Sequence, residues 1–193
     1  MYTVGSLFTG IGGIDYALLQ CTPPFSIAFQ VENHPYAKRV LDRHFPDVPK
    51  FNDITQVCGR DLPHADILTA GFPCQPLSLA GHQKGVNDER WLWDDIWRIT
   101  LQMGTVRGLL LENVPAILRH RAAMSRILSD LARHGWSCQW DCLTCAQVGG
   151  LHDRKRWFCW CYPEISDTNS ERLEGRQLRS VGESPRQRAV GTS

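Results

Sequence analysis

A cysteine held between two prolines is the residue of this chain best placed to act as a nucleophile: Cys74, in the run Gly71-Phe72-Pro73-Cys74-Gln75-Pro76. The residues before it, Ala65-Asp66-Ile67-Leu68-Thr69-Ala70, are mostly apolar and read as a short buried strand closed by Gly71. Pro73 and Pro76 fix φ and push the residue before each towards extended backbone. Cys74 is therefore expected just past the C-terminal end of a strand, on backbone with little freedom. In open α/β sheets ligands bind at that edge. Taken alone, the stretch reads equally as a turn with a buried structural cysteine.

Three carboxylates are expected at the same kind of position. Glu32-Asn33 follows a strand-like run from Ser26 to Val31, Asn52-Asp53-Ile54 ends a shorter one, and Glu112-Asn113-Val114-Pro115 follows Leu109-Leu110-Leu111. Glu32 lies about 20 residues beyond a glycine turn, where a carboxylate can accept hydrogen bonds from ribose hydroxyls. As a bare residue it serves equally as a cap before His34, and Asp53 as the cap of a turn. The turn itself is Thr9-Gly10-Ile11-Gly12-Gly13, between strand-like Val4 to Phe8 and helix-like Ile14 to Gln20. Glycines there let the backbone approach a ligand, and the helix start offers free N–H groups. Near the end of the chain, Arg154 and Arg156 alternate within His152-Asp153-Arg154-Lys155-Arg156, so an extended chain projects both to one side. A solvated basic turn is the plain alternative for that run.

The elements that must position these groups alternate along the chain. Pro35 to Phe45 carries Ala37, Val40, Leu41 and Phe45 at helical spacing, and Trp91 to Met103 carries Leu92, Ile96, Ile99 and Met103. Ile117 to His134 reads as a further helix stopped by Gly135, and Trp136 to Ala146 with Trp157 to Tyr162 as paired strands. Between Cys74 and the second helix, Gly81 to Asp88 is polar and punctuated by glycine, a surface loop. Short apolar strands alternating with helices imply an α/β fold, a doubly wound, mostly parallel sheet.

The 193 residues carry a net charge of +1, with 42% hydrophobic and 21% charged residues, ordinary for one globular domain. No bulk basicity announces nucleic acid, so such a surface would have to be local. There is no basic, apolar leader and no run of roughly 20 apolar residues, so a cytoplasmic chain with reduced thiols and no membrane partner is expected. Of the eight cysteines, Cys142 with Cys145 and Cys159 with Cys161 suggest zinc, but the sequence between them alternates like strands and the second spacing is non-standard. No metal is expected. Residues 1–165 are read as one domain and 166–193, with almost no periodic apolar content, as a polar tail.

In uninterrupted order over residues 3–162, these pieces resemble the DNA (cytosine-5)-methyltransferase family. Phe8-Thr9-Gly10-Ile11-Gly12-Gly13 resembles its first cofactor motif, and Glu32-Asn33 and Asn52-Asp53-Ile54 its second and third. Gly71 to Pro76 resembles the nucleophile motif, Leu111-Glu112-Asn113-Val114 the Glu-Asn-Val motif, and His152 to Arg156 the Gln-x-Arg-x-Arg motif, with His in place of Gln.

The resemblance implies a Rossmann-like methyltransferase fold that uses S-adenosyl-L-methionine to methylate C5 of cytosine in double-stranded DNA. By the same resemblance Cys74 is the nucleophile, Glu112 the group that meets the proton at N3, and Arg154 and Arg156 the groups that orient Glu112 and the cytosine carbonyl. The cofactor would contact Phe8, Gly10, Ile11, Gly12, Gly13, Glu32, Asn33, Asp53, Ile54 and Pro73. The flipped base and its DNA would contact Gln75, Ser78, Gln83, Lys84 and Asn113. A prokaryotic or phage restriction-modification setting goes with this reading. Methylation of RNA, or a remnant that binds without turnover, are the rivals. The sequence stops where the family continues into a target-recognition domain. A second polypeptide or a longer chain is therefore expected to dock around Phe8 and the 150–160 strands.

Overall fold

The computed structural model describes residues 1–22, 24–73 and 92–164. Their centre is a seven-stranded sheet in the order β3-β2-β1-β4-β5-β7-β6. The strands are β1 (Tyr2–Leu7), β2 (Phe25–Val31), β3 (Lys50–Phe51), β4 (Ile67–Gly71), β5 (Gly108–Asn113), β6 (Trp136–Thr144) and β7 (Lys155–Pro163). β1 to β5 pair in parallel, while β7 runs antiparallel to both β5 and β6. The helices are α1 (Gly13–Leu19), α2 (Pro35–His44), α3 (Trp93–Met103) and α4 (Arg121–Arg133). The doubly wound, mostly parallel α/β sheet expected from the alternation is the fold observed.

The chain winds outward from β1 through β2 to β3, then returns to lay β4 on the other side of β1. The C-terminal ends of β1 and β4 therefore flank the switch point, the crevice where open sheets hold ligands. Pleating sorts the side chains. Leu7, Phe29, Val31, Leu68, Ala70, Leu109, Leu111, Trp157, Cys159 and Cys161 belong to one buried cluster with Trp93, Ile96 and Ile99 of α3 and Ile127 and Leu131 of α4. Each such aliphatic side chain taken from water contributes roughly 1.5–3 kcal/mol. Tryptophans join the layers: Trp93 stacks on Trp97 at 5.6 Å, and Trp97 meets Trp136 of β6 edge-on at the same separation. The buried Trp93 indole donates to Asp130 of α4 at 2.9 Å, so its polar atom is not orphaned.

One element departs from the sequence reading. The single helix expected from Ile117 to His134 is a 3₁₀ turn (Pro115–Arg119) followed by α4, broken at His120. The His120 ring accepts from the Ala123 N–H at 3.3 Å and so caps α4 afresh. The residues after 164, including the tail read from the sequence, lie outside the described residues.

Candidate active site

Every carboxylate singled out in the sequence stands at the C-terminal edge of the sheet. Glu112 pairs in register with Gly71, and β4 ends there, three residues before Cys74. A Cβ on Gly71 would lie 3.3 Å from Glu112 Oε2 and 3.9 Å from the Phe8 carbonyl oxygen. The ends of β1, β4 and β5 thus meet at one point, and glycine at position 71 keeps the Glu112 carboxylate uncrowded. Glu112 is half-buried, and Arg156 Nε meets its Oε1 at 2.7 Å. The pair forms because Phe158 is the partner of Glu112 in the β5–β7 register. Arg156, two residues back on β7, projects to the same face.

Arg154 precedes β7 and is exposed, and it forms no ion pair among the described residues. Its backbone N–H donates to His152 Nδ1 at 3.2 Å, so the run that carries the arginines is held by a local turn. Asn113, expected to face substrate, is only 2% exposed. Its amide donates to the Phe72 carbonyl at 3.2 Å and its Oδ1 accepts from the Val114 N–H at 2.8 Å. Both ends of the side chain are spent on backbone, which ties β5 to Phe72, two residues before Cys74 in the sequence. Pro73 is exposed. Cys74, Gln75, Ser78, Gln83 and Lys84 lie outside the described residues.

The glycine turn is built at the other side of the switch point. Phe8, Gly10 and Gly12 all take positive φ, at 53°, 57° and 84°. Gly12 has a second reason to lack a side chain, since a Cβ there would meet the Phe45 ring at 2.6 Å. The turn is gripped by Glu32: its Oε2 accepts from the Gly10 N–H and its Oε1 from the His34 N–H, each at 2.7 Å. A carboxylate has about four acceptor positions, so room for a hydroxyl donor remains. Ile11 is 61% exposed at the tip of the turn, and Gly13 opens α1.

Between these groups lies a cavity of about 110 Å³, lined by Phe8, Val31, Glu32, Asn33, Asn52, Asp53, Ile54 and Leu92. Asp53 uses Oδ1 to accept from the N–H and hydroxyl of Thr55, at 2.9 and 2.8 Å, and so does cap a turn while bordering the cavity. Two residues here escaped sequence reasoning. Leu92 closes one wall. Arg98 of α3 donates to the carbonyls of Ile54 and Val57, each at 2.8 Å, and pairs with Asp95 at 2.9 Å, so it holds the Asp53 loop from behind. Its helical spacing from Asp95 was the only signal, and that spacing is common on solvated faces.

The cysteines weighed for zinc are divided: Cys159 and Cys161 point into the core from β7, with their sulfurs 3.7 Å apart, and Cys145 sits in the turn beyond β6. Among the described residues no group of three or more His, Cys, Asp or Glu side chains is arranged to hold a metal ion. No helix of the described residues is long and apolar enough to cross a membrane.

A cavity at the switch point, with a carboxylate on its glycine turn, lies beside a second carboxylate paired to arginine, the place where open α/β sheets hold ligands. Residues 2–186 match the family described as C-5 cytosine-specific DNA methylase, and the chain belongs to that family. It is 35% identical over 155 residues to the type II methyltransferase M.CviJI of Paramecium bursaria Chlorella virus IL3A, covering 79% of this chain and 41% of the relative. Against the type II methyltransferase M.NlaIV of Neisseria lactamica it is 35% identical over 193 residues, covering 92% of this chain and 45% of the relative. The chain thus spans less than half the length of these relatives. In fold it is similar to the S. pombe Dnmt2 methyltransferase, with a TM-score of 0.71 at 20% identity over 93% of this chain and 57% of that one. A putative DNA modification methyltransferase encoded within an E. coli prophage gives a TM-score of 0.69 at 18% identity, over 86% and 49% of the two chains.

Proposed function

We propose that this chain is the catalytic portion of an enzyme that methylates C5 of cytosine in double-stranded DNA, with Cys74 as nucleophile and S-adenosyl-L-methionine as methyl donor. The observation that carries the reading is the convergence of Glu112, Arg156 and Gly71 at the strand ends beside the glycine turn.

The cavity fits part of such a cofactor. Glu32 and Asn33 offer acceptors for ribose hydroxyls, and Phe8, Ile54 and Leu92 offer apolar surface for a purine. Its 110 Å³ is well short of the roughly 300 Å³ or more that encloses a drug-sized ligand, so it takes one portion of the molecule. When bound, the cofactor supplies the electrophilic methyl group. Phe8, Gly10 to Gly13, Glu32, Asn33, Asp53, Ile54 and Pro73 are the residues that would hold it.

The chain's own groups do the rest. Cytosine C5 is a poor nucleophile until a thiolate adds to C6, which divides one hard step into two easier ones. As the Cys74 sulfur bonds to C6, ring electrons move towards N3, where Glu112 holds or shares the proton. Arg156 fixes the direction of that carboxyl with a planar donor, and Arg154 would meet the base carbonyl. Once C5 is methylated, its proton passes to water, the C–H electron pair restores the C5–C6 double bond, and the C6–S pair leaves on Cys74 as the thiolate. The base must be out of the stack for this, at a cost of a few kcal/mol offset by pocket contacts to Gln75, Ser78, Gln83 and Lys84. Asn113 acts by holding the backbone of Phe72, two residues before the nucleophile.

Residues 1–165 are the catalytic domain in this reading, and the remainder of the site comes from a longer chain or a second polypeptide that carries target recognition. Two features support it beyond the coverage of the relatives. An apolar groove of about 490 Å³ runs between α1 and β7, lined by Tyr2, Leu18, Phe25, Ile67, Leu110 and Trp160 among others. Beyond β6, an outer strand of the sheet, Val148 is 72% exposed and Leu151 fully so. The groove shares β7 with the face expected from the sequence but runs towards Tyr2, at the opposite end of β1 from Phe8.

The test is covalent trapping on 5-fluorocytosine oligonucleotides, with the methyl donor present, by the chain together with the part that carries target recognition, and by the same assembly with Cys74→Ser. A stable adduct on DNA that Cys74→Ser loses is expected. Adduct formation on RNA and not on DNA would replace the substrate, and an undiminished adduct with Cys74→Ser would remove the nucleophile assignment.

A further inference from the structure

Beneath the glycine turn lies a polar pair that the reaction does not use. Asp15, in the first turn of α1, and Gln30, on β2, are both 0% exposed. Gln30 Nε2 donates to Asp15 Oδ2 at 2.7 Å. The remaining polar atom of each side chain, Asp15 Oδ1 and Gln30 Oε1, is buried with no hydrogen-bond partner among the described residues. The Ser6 hydroxyl faces Asp15, but Gln30 Oε1 is left with no donor among the described residues, at a desolvation penalty. One proton removes that fault, because a carboxyl O–H at Oδ1 can donate to Oε1 while Oδ2 goes on accepting from the amide.

We propose that Asp15 is carried as the neutral acid in the folded protein and forms a cyclic acid–amide pair with Gln30 that clamps α1, and with it the glycine turn, onto β2. The surroundings favour the neutral form. The group facing Asp15 from β1 is the hydroxyl of Ser6, which itself accepts from the Thr69 hydroxyl of β4 at 3.4 Å, and no cation pairs with Asp15 among the described residues. Burial pushes the Asp15 carboxyl above its ordinary value of 3.8, against smaller opposite effects from Gln30 and Ser6. The N-terminus of α1 favours the anion, but it cannot supply the donor that Gln30 Oε1 lacks. The clamp is close to the cofactor turn in the chain: Gly12 accepts the Tyr16 N–H at 2.9 Å, and Gly13 starts the helix that Asp15 anchors. Loss of the proton at alkaline pH leaves an anion facing a carbonyl oxygen, and the turn loosens.

Asp15→Asn tests this in the whole chain, since an amide at position 15 reproduces the ring without a titratable proton. A folded value above the unfolded 3.8 means that the native state holds a proton the unfolded chain releases. The native protein should therefore lose stability relative to Asp15→Asn as pH rises from 4, by up to tenfold in the unfolding constant per pH unit, and level off only above the folded value. A difference that is flat from pH 5 to 9, or that grows in the opposite direction, overturns the proposal by placing an ionised Asp15 in the core. Infrared difference spectra of native protein against Asp15→Asn give a second reading at pH 7: a protonated carboxyl band is expected, and a carboxylate band alone overturns the proposal. Calorimetric titration with S-adenosylhomocysteine, which rests on the cofactor reading above, should show native affinity falling as pH rises through the folded value of Asp15 while Asp15→Asn holds steady. If neither protein binds at any pH, the cofactor reading fails, and the unfolding and infrared results still decide the clamp.

Discussion

Arg156 holds the carboxylate of Glu112 at 2.7 Å through Nε, reaching it from the strand that runs antiparallel to β5. The direction of the Glu112 carboxyl is thus set by a hairpin whose strands, β6 and β7, are joined through residues 145–154. Arginine is suited to this because its planar fork is rigid, whereas a lysine ammonium is a point charge on a flexible stem.

Arg156→Lys should therefore lower the rate of adduct formation on 5-fluorocytosine DNA by about 10²-fold, the scale set by misplacing a catalytic group by an ångström. Stability should change by less than about 1 kcal/mol, because both partners are partly exposed and the pair is screened by solvent. Stopped-time trapping beside urea unfolding measures the two effects separately. A rate loss that tracked an equal loss of stability would mean that Arg156 only holds the hairpin.

Glu32 joins β2 to the glycine turn through two charge-assisted hydrogen bonds, to the N–H groups of Gly10 and His34. Glu32→Ala should cost about 1–3 kcal/mol of stability and abolish detectable cofactor binding, since it frees the turn as well as removing the acceptor. Glu32→Gln keeps one acceptor oxygen and should retain weakened binding. Calorimetric titration with S-adenosylhomocysteine ranks the three proteins, and equal affinity for native protein and Glu32→Ala would remove Glu32 from the cofactor site.

The strand-and-helix alternation was legible because burial on a parallel sheet leaves long apolar runs such as Leu109-Leu110-Leu111, bounded by glycine or a polar residue. The carboxylates at strand ends were legible for the same reason: Glu32 and Glu112 interrupt the apolar pattern where the strand leaves the core. What the sequence hid was decided by partners distant in the chain. Asn113 looks like an exposed site residue until Phe72, 41 positions earlier, takes its amide. Arg98 looks like a solvated helix charge until the Asp53 loop folds onto it. Asp15 reads as a break in an apolar stretch, and only the approach of Gln30 shows a buried carboxyl. The break at His120 was hidden because the apolar residues on either side keep helical spacing across it.

At the end of the sheet away from the site, a carboxylate joins two neighbouring strands. Asp66 stitches the start of β4 to β1: its Oδ2 accepts from the N–H and the hydroxyl of Thr3, each at 2.8 Å, and its own N–H donates to the Thr3 carbonyl at 2.9 Å. These bonds, the Thr3 backbone N–H first, hold the Asp66 carboxyl below its ordinary value of 3.8, with His64 adding a smaller effect in the same direction. The sign follows from proton counting. Below 3.8 the unfolded chain binds a proton that the native carboxylate still refuses, so stability is present above that value and drains away as pH falls through the folded one. Asp66→Asn cannot titrate and gains nothing from charge, so it should be less stable than the native protein at pH 7. The gap should narrow as pH falls below 4. Urea unfolding of both proteins at pH 7, 4 and 3 measures it, and a gap that stayed constant across the series would mean that the Thr3 bonds do not depend on the charge of Asp66.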